Sequence, residues 1–557
     1  MLKNVNVGVL GHVDAGKTAL CRILVQHAEA GVKSTAADDK SRQSRERGIT
    51  LDLGFSSFRV NREDDDFQVT LVDCPGHARL LRTVLCGARI IDVAALVVDA
   101  AEGIQPQTVE CMVLASLLKK PLLIVLSKCD KVDKKRASVV SRKVKRQLRE
   151  LGLQTKPMVV ATSTVSDEWA RDSALRVVEA VAQLAHAHTR ANPTDQCDRD
   201  GADDTVVAVD HVFAVSGRQG VVATGTVLSG RVLVGDTMHV PSAYRVTHED
   251  THEIDAVTTN DAFTVQSLQS FRNAVESADA GDRVAMQLTL SRQSDKESLS
   301  RLLSHDRVLL GVSESAVTYV QHVVASVVPV VTCTRPIASG TSWHVNIGSD
   351  TVMATCHFFR EPASSTYRGG VFDHACDYVH LDELPSHTDD NETSALCYLI
   401  FDRPVAVSRQ NPGMLVAAAL QQQQHRECRL VFRGTVRALR AKPRRMRQKL
   451  RFGSVERCKD CELIVIGLFD KGAKTDRFNG LRVALFQEEP SRYAETPALV
   501  FDSADAVGVI TGAFGKKGKI RIRIETVHNE SVEDWTRAHV ALPLKKYVGG
   551  DRKALLQ

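Results

Sequence analysis

One glycine-rich loop constrains this chain more than any other feature. Residues Gly11-His-Val-Asp-Ala-Gly-Lys17-Thr18 match GxxxxGK[ST] in full, after an apolar β-branched run and before a helical one. The glycines let the backbone N–H groups of Asp14, Ala15, Gly16, Lys17, Thr18 and Ala19 turn toward phosphate oxygens, and the helix N-terminus adds partial positive charge. Lys17 brings a cation to the β- and γ-phosphates, and Thr18 offers its hydroxyl to Mg2+. A loop of this kind joins a strand of a parallel sheet to a helix, so the chain must begin with an α/β domain.

Three further elements follow the loop's logic. Asp73-Cys-Pro-Gly-His77 ends an apolar strand, where Asp73 can hold Mg2+ and the Gly76 N–H can report the γ-phosphate. Arg47-Gly-Ile-Thr50 lies upstream, in position to bring the Thr50 hydroxyl to the metal. Ser127-Lys128-Cys-Asp130 follows the next strand. A carboxylate at Asp130 accepts both N1–H and N2–H of guanine, which adenine cannot offer. Charged hydrogen bonds contribute ~1.5–3 kcal/mol each, enough to select the base. Thr162 and Ser163 occupy the place of a last guanine element after a strand. Together these elements predict a GTPase that binds GTP and GDP with Mg2+.

The order and wording of the motifs resemble the translational GTPases of the elongation factor Tu class. That resemblance implies that His77 orients the attacking water, flanked by Val13 and Ile49, with Asp14 and Thr50 in the catalytic set. The chain departs from the family pattern at Ser127, where the family usually has Asn; serine can still hydrogen-bond the base or the phosphate loop.

The remaining length needs more than one domain. At roughly 150 residues per domain, 557 residues predict three to four. Residues 1–195 alternate strand candidates (Asn6–Leu10, Gln68–Val72, Val93–Val98, Leu122–Leu126, Met158–Ala161) with helical stretches at Gln105–Leu118 and Lys134–Leu151. Beyond a polar linker at Asn192–Asp204, short strands with Gly-rich turns predict a β-barrel over 204–293, a second over 300–436 and a β-rich module over 437–557. The fold class expected is therefore a P-loop GTPase domain followed by three β-barrel-like domains. A polar connector at Ser291–Arg301 reads as helical, Glu361–Ser394 as a surface insertion, and Gln421–Gln424 as a loop tip. His374, Cys376, His380 and His387 in or near the insertion fit ordinary polar loop composition better than a metal site.

Composition excludes other classes. With 43% hydrophobic and 25% charged residues the chain is globular, and no apolar run reaches the ~18 residues of a membrane span. A motif already under way at Gly11 leaves no room for a signal peptide. The 13 scattered cysteines predict reduced thiols of an intracellular protein, and Cys458-Lys-Asp-Cys461 two ordinary thiols at a turn. A cytoplasmic monomer is expected, a nuclear fraction being compatible.

Several stretches resemble one branch of the class, the selenocysteine-specific elongation factors of eukaryotes and archaea. They are Gln43–Phe55 with its Leu-Asp-Leu-Gly-Phe continuation, Val209–Phe213, Val222–Gly230, Gly281–Arg283 and Asp502–Lys519. The resemblance implies selenocysteinyl-tRNA and the ribosome as partners, recoded UGA codons as the place of action, and Asp210, His211 and Arg283 as the selenocysteine pocket. A selenol ionises readily, so positive potential in a small dry pocket suits it. Arg283 would supply a permanent charge, and Asp210 would hold His211 cationic.

The last module is basic, with 25 Lys and Arg against 15 Asp and Glu over residues 437–557. Eight of the fifteen residues from Arg437 to Arg451 are basic, among them Arg444, Arg445 and Arg447, and Pro443 opposes one continuous helix. Further on, Lys519, Arg521 and Arg523 alternate with isoleucines, so a strand would present them on one face. These six residues are the candidate contacts for RNA phosphates, with Trp535 and Tyr547 available for stacking. The RNA would be a selenocysteine insertion element, met directly or through an RNA-binding protein. The basic stretch Lys131–Arg149 reads as an exposed helix face. Two other readings fit the same residues: another tRNA-carrying GTPase (a general elongation factor or an initiator-tRNA-binding subunit), or an RNA-binding adaptor with a decayed GTPase.

Overall fold

The computed structural model describes residues 3–27, 54–61, 66–74, 90–153, 157–191, 205–214, 220–247, 254–271, 273–290, 308–348, 350–362, 372–385, 395–409, 412, 414–419, 428–459, 461–470, 475–488, 500–501, 503–515, 518–529, 534–548 and 555–556. The chain forms two compact units: Met1–Cys356 with Pro385–Asp389 and Leu399–Arg440, and His357–Leu384 with Asp390–Tyr398 and Ala441–Gln557. The Asn192–Asp204 linker, the Ser291–Arg301 connector, the Gln421–Gln424 run and His387 lie outside the described residues.

The first unit opens with a six-stranded sheet made of β1 (Lys3–Gly11), β2 (Gly54–Asn61), β3 (Asp66–Asp73), β4 (Val93–Asp99), β5 (Leu122–Ser127) and β6 (Met158–Ala161), in the order β2-β3-β1-β4-β5-β6. Every pair is parallel except β2–β3. That exception departs from the all-parallel expectation. The short connection between Asn61 and Asp66 cannot make a parallel crossover, which takes a dozen residues or more, so the chain turns back as a hairpin. Strands β4 and β5 are buried along their whole length, as their unbroken apolar runs require. Four helices are described: α1 (Lys17–His27), α2 (Pro106–Leu118), α3 (Lys134–Glu150) and α4 (Asp167–Ala191). α3 buries Val140, Val144 and Leu148, four residues apart, and turns its basic residues to solvent.

Next come β7 (Val206–Ala214), β8 (Val221–Ser229), β9 (Arg231–Leu233), β10 (Thr237–Thr247), β11 (Ile254–Ser270), β12 (Asn273–Val275), β13 (Ser277–Asp279), β14 (Arg283–Leu290) and β15 (Val308–Gly311). The ring β10-β15-β7-β8-β14-β11 closes through a β10–β11 pairing around Val207, Met238, Phe263, Met286 and Leu310. A second ring follows from β16 (Val317–Pro329), β17 (Thr341–Ile347), β18 (Asp350–Arg360), β20 (Ala395–Ser408), β21 (Met414–Ala418) and β22 (Leu430–Leu439), after β19 (Asp377–Leu381) is set aside. Its Val330, Val416 and Leu430 share one apolar core with Met112, Val113 and Leu114 of α2.

In the second unit, β23 (Arg444–Lys459), β24 (Glu462–Ile466), β25 (Arg482–Phe486), β26 (Ala506–Phe514), β27 (Lys519–Val527) and β28 (His539–Tyr547) form a third closed ring through a β23–β28 pairing, with β29 (Leu555–Leu556) on its edge. Leu463, Phe478, Ile520, Ile522 and Trp535 fill it, so Trp535 is a core residue. Cys461 sits in the left-handed position of the β23–β24 hairpin, which makes the Cys458–Cys461 pair part of a turn. The 361–394 segment corrects the expectation of a surface insertion. Its β19 pairs antiparallel with β18 and parallel with β23, and Tyr378 is fully buried against Phe359 and Phe372, 5.0 and 5.3 Å between ring centroids. Five strand residues within a long polar stretch carry too little alternation to stand out.

Candidate functional site

The phosphate loop leaves β1 where Gly11 passes so close to β4 that a Cβ would lie 2.4 Å from the Val97 carbonyl oxygen. Asp14 (φ 57°) and Gly16 (φ 93°) then take left-handed conformations, which turn the following N–H groups toward one point. Lys17 is buried and donates to the His12 carbonyl at 2.6 Å, which stretches its ammonium over the loop. Burial holds the Lys17 pKa below its usual value, an environment that favours an anion beside it. Thr18 donates to Asp73 Oδ2 at 2.7 Å, so the two expected metal ligands are adjacent. Thr50, Gly76 and His77 lie outside the described residues.

Ser127, the departure from the family pattern, turns inward. Its Oγ donates to the Ala15 carbonyl at 2.6 Å and braces the phosphate loop from the end of β5. Lys128 takes a left-handed conformation, and its Nζ lies 2.7 Å from Asp99 Oδ2. Burial pushes the Asp99 carboxyl up, but the Lys128 hydrogen bond and the Ala101 and Glu102 amides outweigh it and hold the pKa low. The β6 end joins the same corner. Thr162 bonds the Leu126 carbonyl through both N and Oγ1 at 2.7 and 3.1 Å, and Ser163 Oγ donates to Asp130 at 2.7 Å. Asp130, Thr162 and Ser163 are thus brought together.

Asp210 and Arg283 also meet. β7 bulges between Val209 and His211, and β8 separates β7 from β14, with Arg283 opposite Thr226. Gly225 makes room for the bulge, since a Cβ there would lie 2.3 Å from the Ala208 carbonyl oxygen. The Arg283 guanidinium donates to Asp210, and the two side chains are 11% and 20% exposed. His211 is not brought into this pair: its ring tilts against Phe213, 6.0 Å between centroids. Asp210 therefore holds Arg283 in place of the expected His211.

Sequence reasoning missed the neighbours that tie these sites together. Arg283 lies over the Phe55 ring of β2, 3.3 Å from its centroid. Asn4 and Asn6 of β1 both donate to the Gly281 carbonyl, the Asn6 bond being 2.9 Å. Gln107 accepts from the Val13 N–H at 3.3 Å. Glu110 of α2 accepts two 2.7 Å bonds from the Arg429 guanidinium, both residues buried. Asn4 and Asn6 in an otherwise apolar strand, and Glu110 in an apolar helix, are the signals that could have revealed them.

The basic candidates divide. Arg444 lies 3.0 Å from Asp377 and donates to the Tyr547 hydroxyl at 2.9 Å; Arg447 pairs with Asp382 at 2.7 Å. Lys519 pairs with Glu456 at 2.5 Å, and Arg521 lies 3.8 Å from Glu462. Lys519, Arg521 and Arg523 do share one face of β27, with Ile520 and Ile522 buried behind them. Arg445 departs from the expectation of a solvent-facing tract. It sits opposite Tyr378 of β19 with its guanidinium over the Tyr398 ring, which leaves it 7% exposed, whereas Arg447 on the same face is 57% exposed.

A model described as the elongation factor Tu GTP binding domain matches residues 2–221, and one described as the third domain of the eukaryotic selenocysteine-specific elongation factor matches 324–434. With the phosphate loop and base motif in place, the chain is a translational GTPase of the elongation factor Tu class. The selenocysteine-specific elongation factor of Mus musculus is 32% identical over 572 aligned positions, covering 94% of this chain and 88% of the relative. That of Methanocaldococcus jannaschii is 32% identical over 354, covering 64% and 66%. The crystal structure of translation elongation factor SelB from Methanococcus maripaludis, in complex with the GTP analogue GppNHp, shares the fold with a TM-score of 0.71 at 22% identity, covering 98% of this chain and 99% of that one. The chain belongs to the selenocysteine-specific elongation factor family.

Proposed function

We propose that this protein carries selenocysteinyl-tRNA to the ribosome at recoded UGA codons and releases it on GTP hydrolysis, acting as a monomer in the cytoplasm. The observation that carries the reading is the Arg283–Asp210 pair stacked on Phe55. Phe55 follows the Thr50 segment by five residues, so ordering of that segment around the γ-phosphate reaches the cargo pocket through one strand. Arg283 presents the positive charge that favours a selenolate over a neutral serine hydroxyl, Asp210 fixes the guanidinium, and His211 completes the pocket.

In the nucleotide site, the N–H groups of residues 14–19 cradle the phosphates, and Ser127 and Gln107 stiffen that cradle. Asp130 and Ser163 read guanine, with Lys128 and Thr162 positioning them. The adjacent Thr18 hydroxyl and Asp73 carboxylate fit Mg2+, joined by Thr50, and the ion supplies charge neutralisation on the phosphates. His77 orients the attacking water, with Asp14 and Thr50 in the same catalytic set.

The chain divides functionally at 1–195, 204–293, 300–436 and 437–557. In the last module Arg444, Arg447, Lys519, Arg521 and Arg523 meet a selenocysteine insertion RNA, directly or through an RNA-binding protein. Arg444, Arg447, Lys519 and Arg521 now pair with carboxylates at exposed or half-exposed positions, where solvent weakens such pairs and RNA phosphates can displace them. The test is tRNA binding by nucleotide state: the GTP form should bind selenocysteinyl-tRNA at least about tenfold tighter than the GDP form. Equal affinities would refute the carrier reading.

A further inference from the structure

We propose that Arg445, His357, His380 and Tyr398, in the second unit, form a binding site for a single terminal phosphate group, such as inorganic phosphate or the phosphorylated end of a nucleic acid. The site uses none of the nucleotide or cargo residues.

Register places these groups together. Phe359 of β18 faces His380 of β19, and Tyr378 of β19 faces Arg445 of β23. Because alternate residues share a face, His357, Tyr378, His380, Arg445 and Arg447 line one side of the three strands. Tyr398 of β20 lies across them, its ring centroid 5.0 Å from the Arg445 guanidinium carbon and 6.3 Å from the His357 ring.

The chemistry of this face is mostly that of donors, with one carboxylate at its exposed edge. Arg445 Nε and Nη1 and His380 Nδ1 are buried without a hydrogen-bond partner among the described residues. The carboxylate beside the cluster, Asp382, is 78% exposed; it engages Arg447 at 2.7 Å and lies 3.5 Å from His380 Nε2, which is itself 3.4 Å from Arg447 Nη2. A buried guanidinium cannot discard its proton, so its unmet donors cost free energy until an anion reaches them. The electrostatics point the same way. Burial, Arg445 and His380 push the His357 pKa down to about 4; burial, Arg447 and Arg445 lower that of His380; burial lowers that of Arg445. Arg445 raises the cost of charge on both histidines, burial raises it on all three, and an anion of charge near −2 relieves them.

A phosphate monoester fits this demand better than the alternatives. It offers three strong acceptor oxygens and a second ionisation near pH 6, whereas an internal phosphodiester carries one charge and two bulky substituents. The donors are buried, so the group that meets them must project freely.

The experiment uses the full chain at constant ionic strength. Calorimetric titration with inorganic phosphate, and with one RNA oligonucleotide bearing a 5′-phosphate or a 5′-hydroxyl, compares wild type with Arg445→Met and Arg445→Lys. Phosphate binding should weaken at least about tenfold in Arg445→Met and less in Arg445→Lys. Tighter binding of the 5′-phosphorylated RNA, lost in Arg445→Met, identifies a nucleic-acid end as the source; phosphate binding alone identifies the free anion. Independently of ligand, NMR titration should show the His357 and His380 pKa values rising on phosphate addition, and His357 rising in Arg445→Met. Equal phosphate affinity in wild type and Arg445→Met, or histidine pKa values that ignore phosphate, would overturn the proposal.

Discussion

Single side chains carry much of the specificity, and they differ in how openly the sequence declared them. Asp130 was legible because a guanine base needs a carboxylate at a strand end, and its 2.7 Å bond from Ser163 adds a partner that spacing only hinted at. Asp130→Asn is expected to weaken GDP binding and admit XDP, since an amide matches the xanthine edge; unchanged preference for GDP in a labelled-nucleotide titration would displace the base motif from this corner. Arg445 was misleading for a simple reason: a basic tract announces charge, and only the partners on neighbouring strands, here Tyr378 and Tyr398, decide which of its arginines is covered. Its neighbour His357 gives a pH prediction. The folded pKa of about 4 lies below the ordinary 6.5, so the native state binds fewer protons than the unfolded one. The stabilising contribution is complete above pH 6.5 and is lost as pH falls toward 4, on the order of 2 kcal/mol after solvent screening. Hydrogen exchange of the β18 amides should accelerate over that window in wild type and less in His357→Phe; identical pH profiles would remove His357 as the cause.

At the scale of elements, the GTPase sheet was the most legible part, because its central strands β4 and β5 are buried along their whole length and read as unbroken apolar runs. The bulge in β7 was not, since a bulge is a relation between two strands and depends on Gly225 of the neighbour. Gly225→Ala would place a methyl 2.3 Å from the Ala208 carbonyl oxygen and force β7 outward. The expected outcome is loss of selenocysteinyl-tRNA binding with GTP affinity kept within about twofold, because the distortion stays in the barrel that carries Asp210. Loss of both activities in parallel would mean general unfolding. β19 escaped detection for the related reason that five residues show a period only once their partners are known.

Across the first unit, the phosphate loop, the Asp210–Arg283 pair and the second ring are joined by bonds the sequence could not pair in advance. Asn6 holds Gly281, Phe55 supports Arg283, and Glu110 clamps Arg429. Breaking the buried Glu110–Arg429 pair by Arg429→Ala should cost about 3–5 kcal/mol, whereas the Glu110→Met/Arg429→Leu double variant should recover most of it. Thermal unfolding of the three proteins checks this, and equal losses in the single and double variants would mean that packing, not charge, sets the cost. The central claim is that these connected residues select a selenolate cargo. The most direct measurement is the affinity of the GTP form for one tRNA body charged with selenocysteine or with serine, in wild type and Arg283→Ala, so that backbone contacts cancel. Wild type should prefer the selenocysteinyl form, and Arg283→Ala should remove on the order of 2–5 kcal/mol from that cargo while barely changing the seryl form. Equal affinities of wild type for both cargoes, or equal losses in the variant, would contradict selection by Arg283.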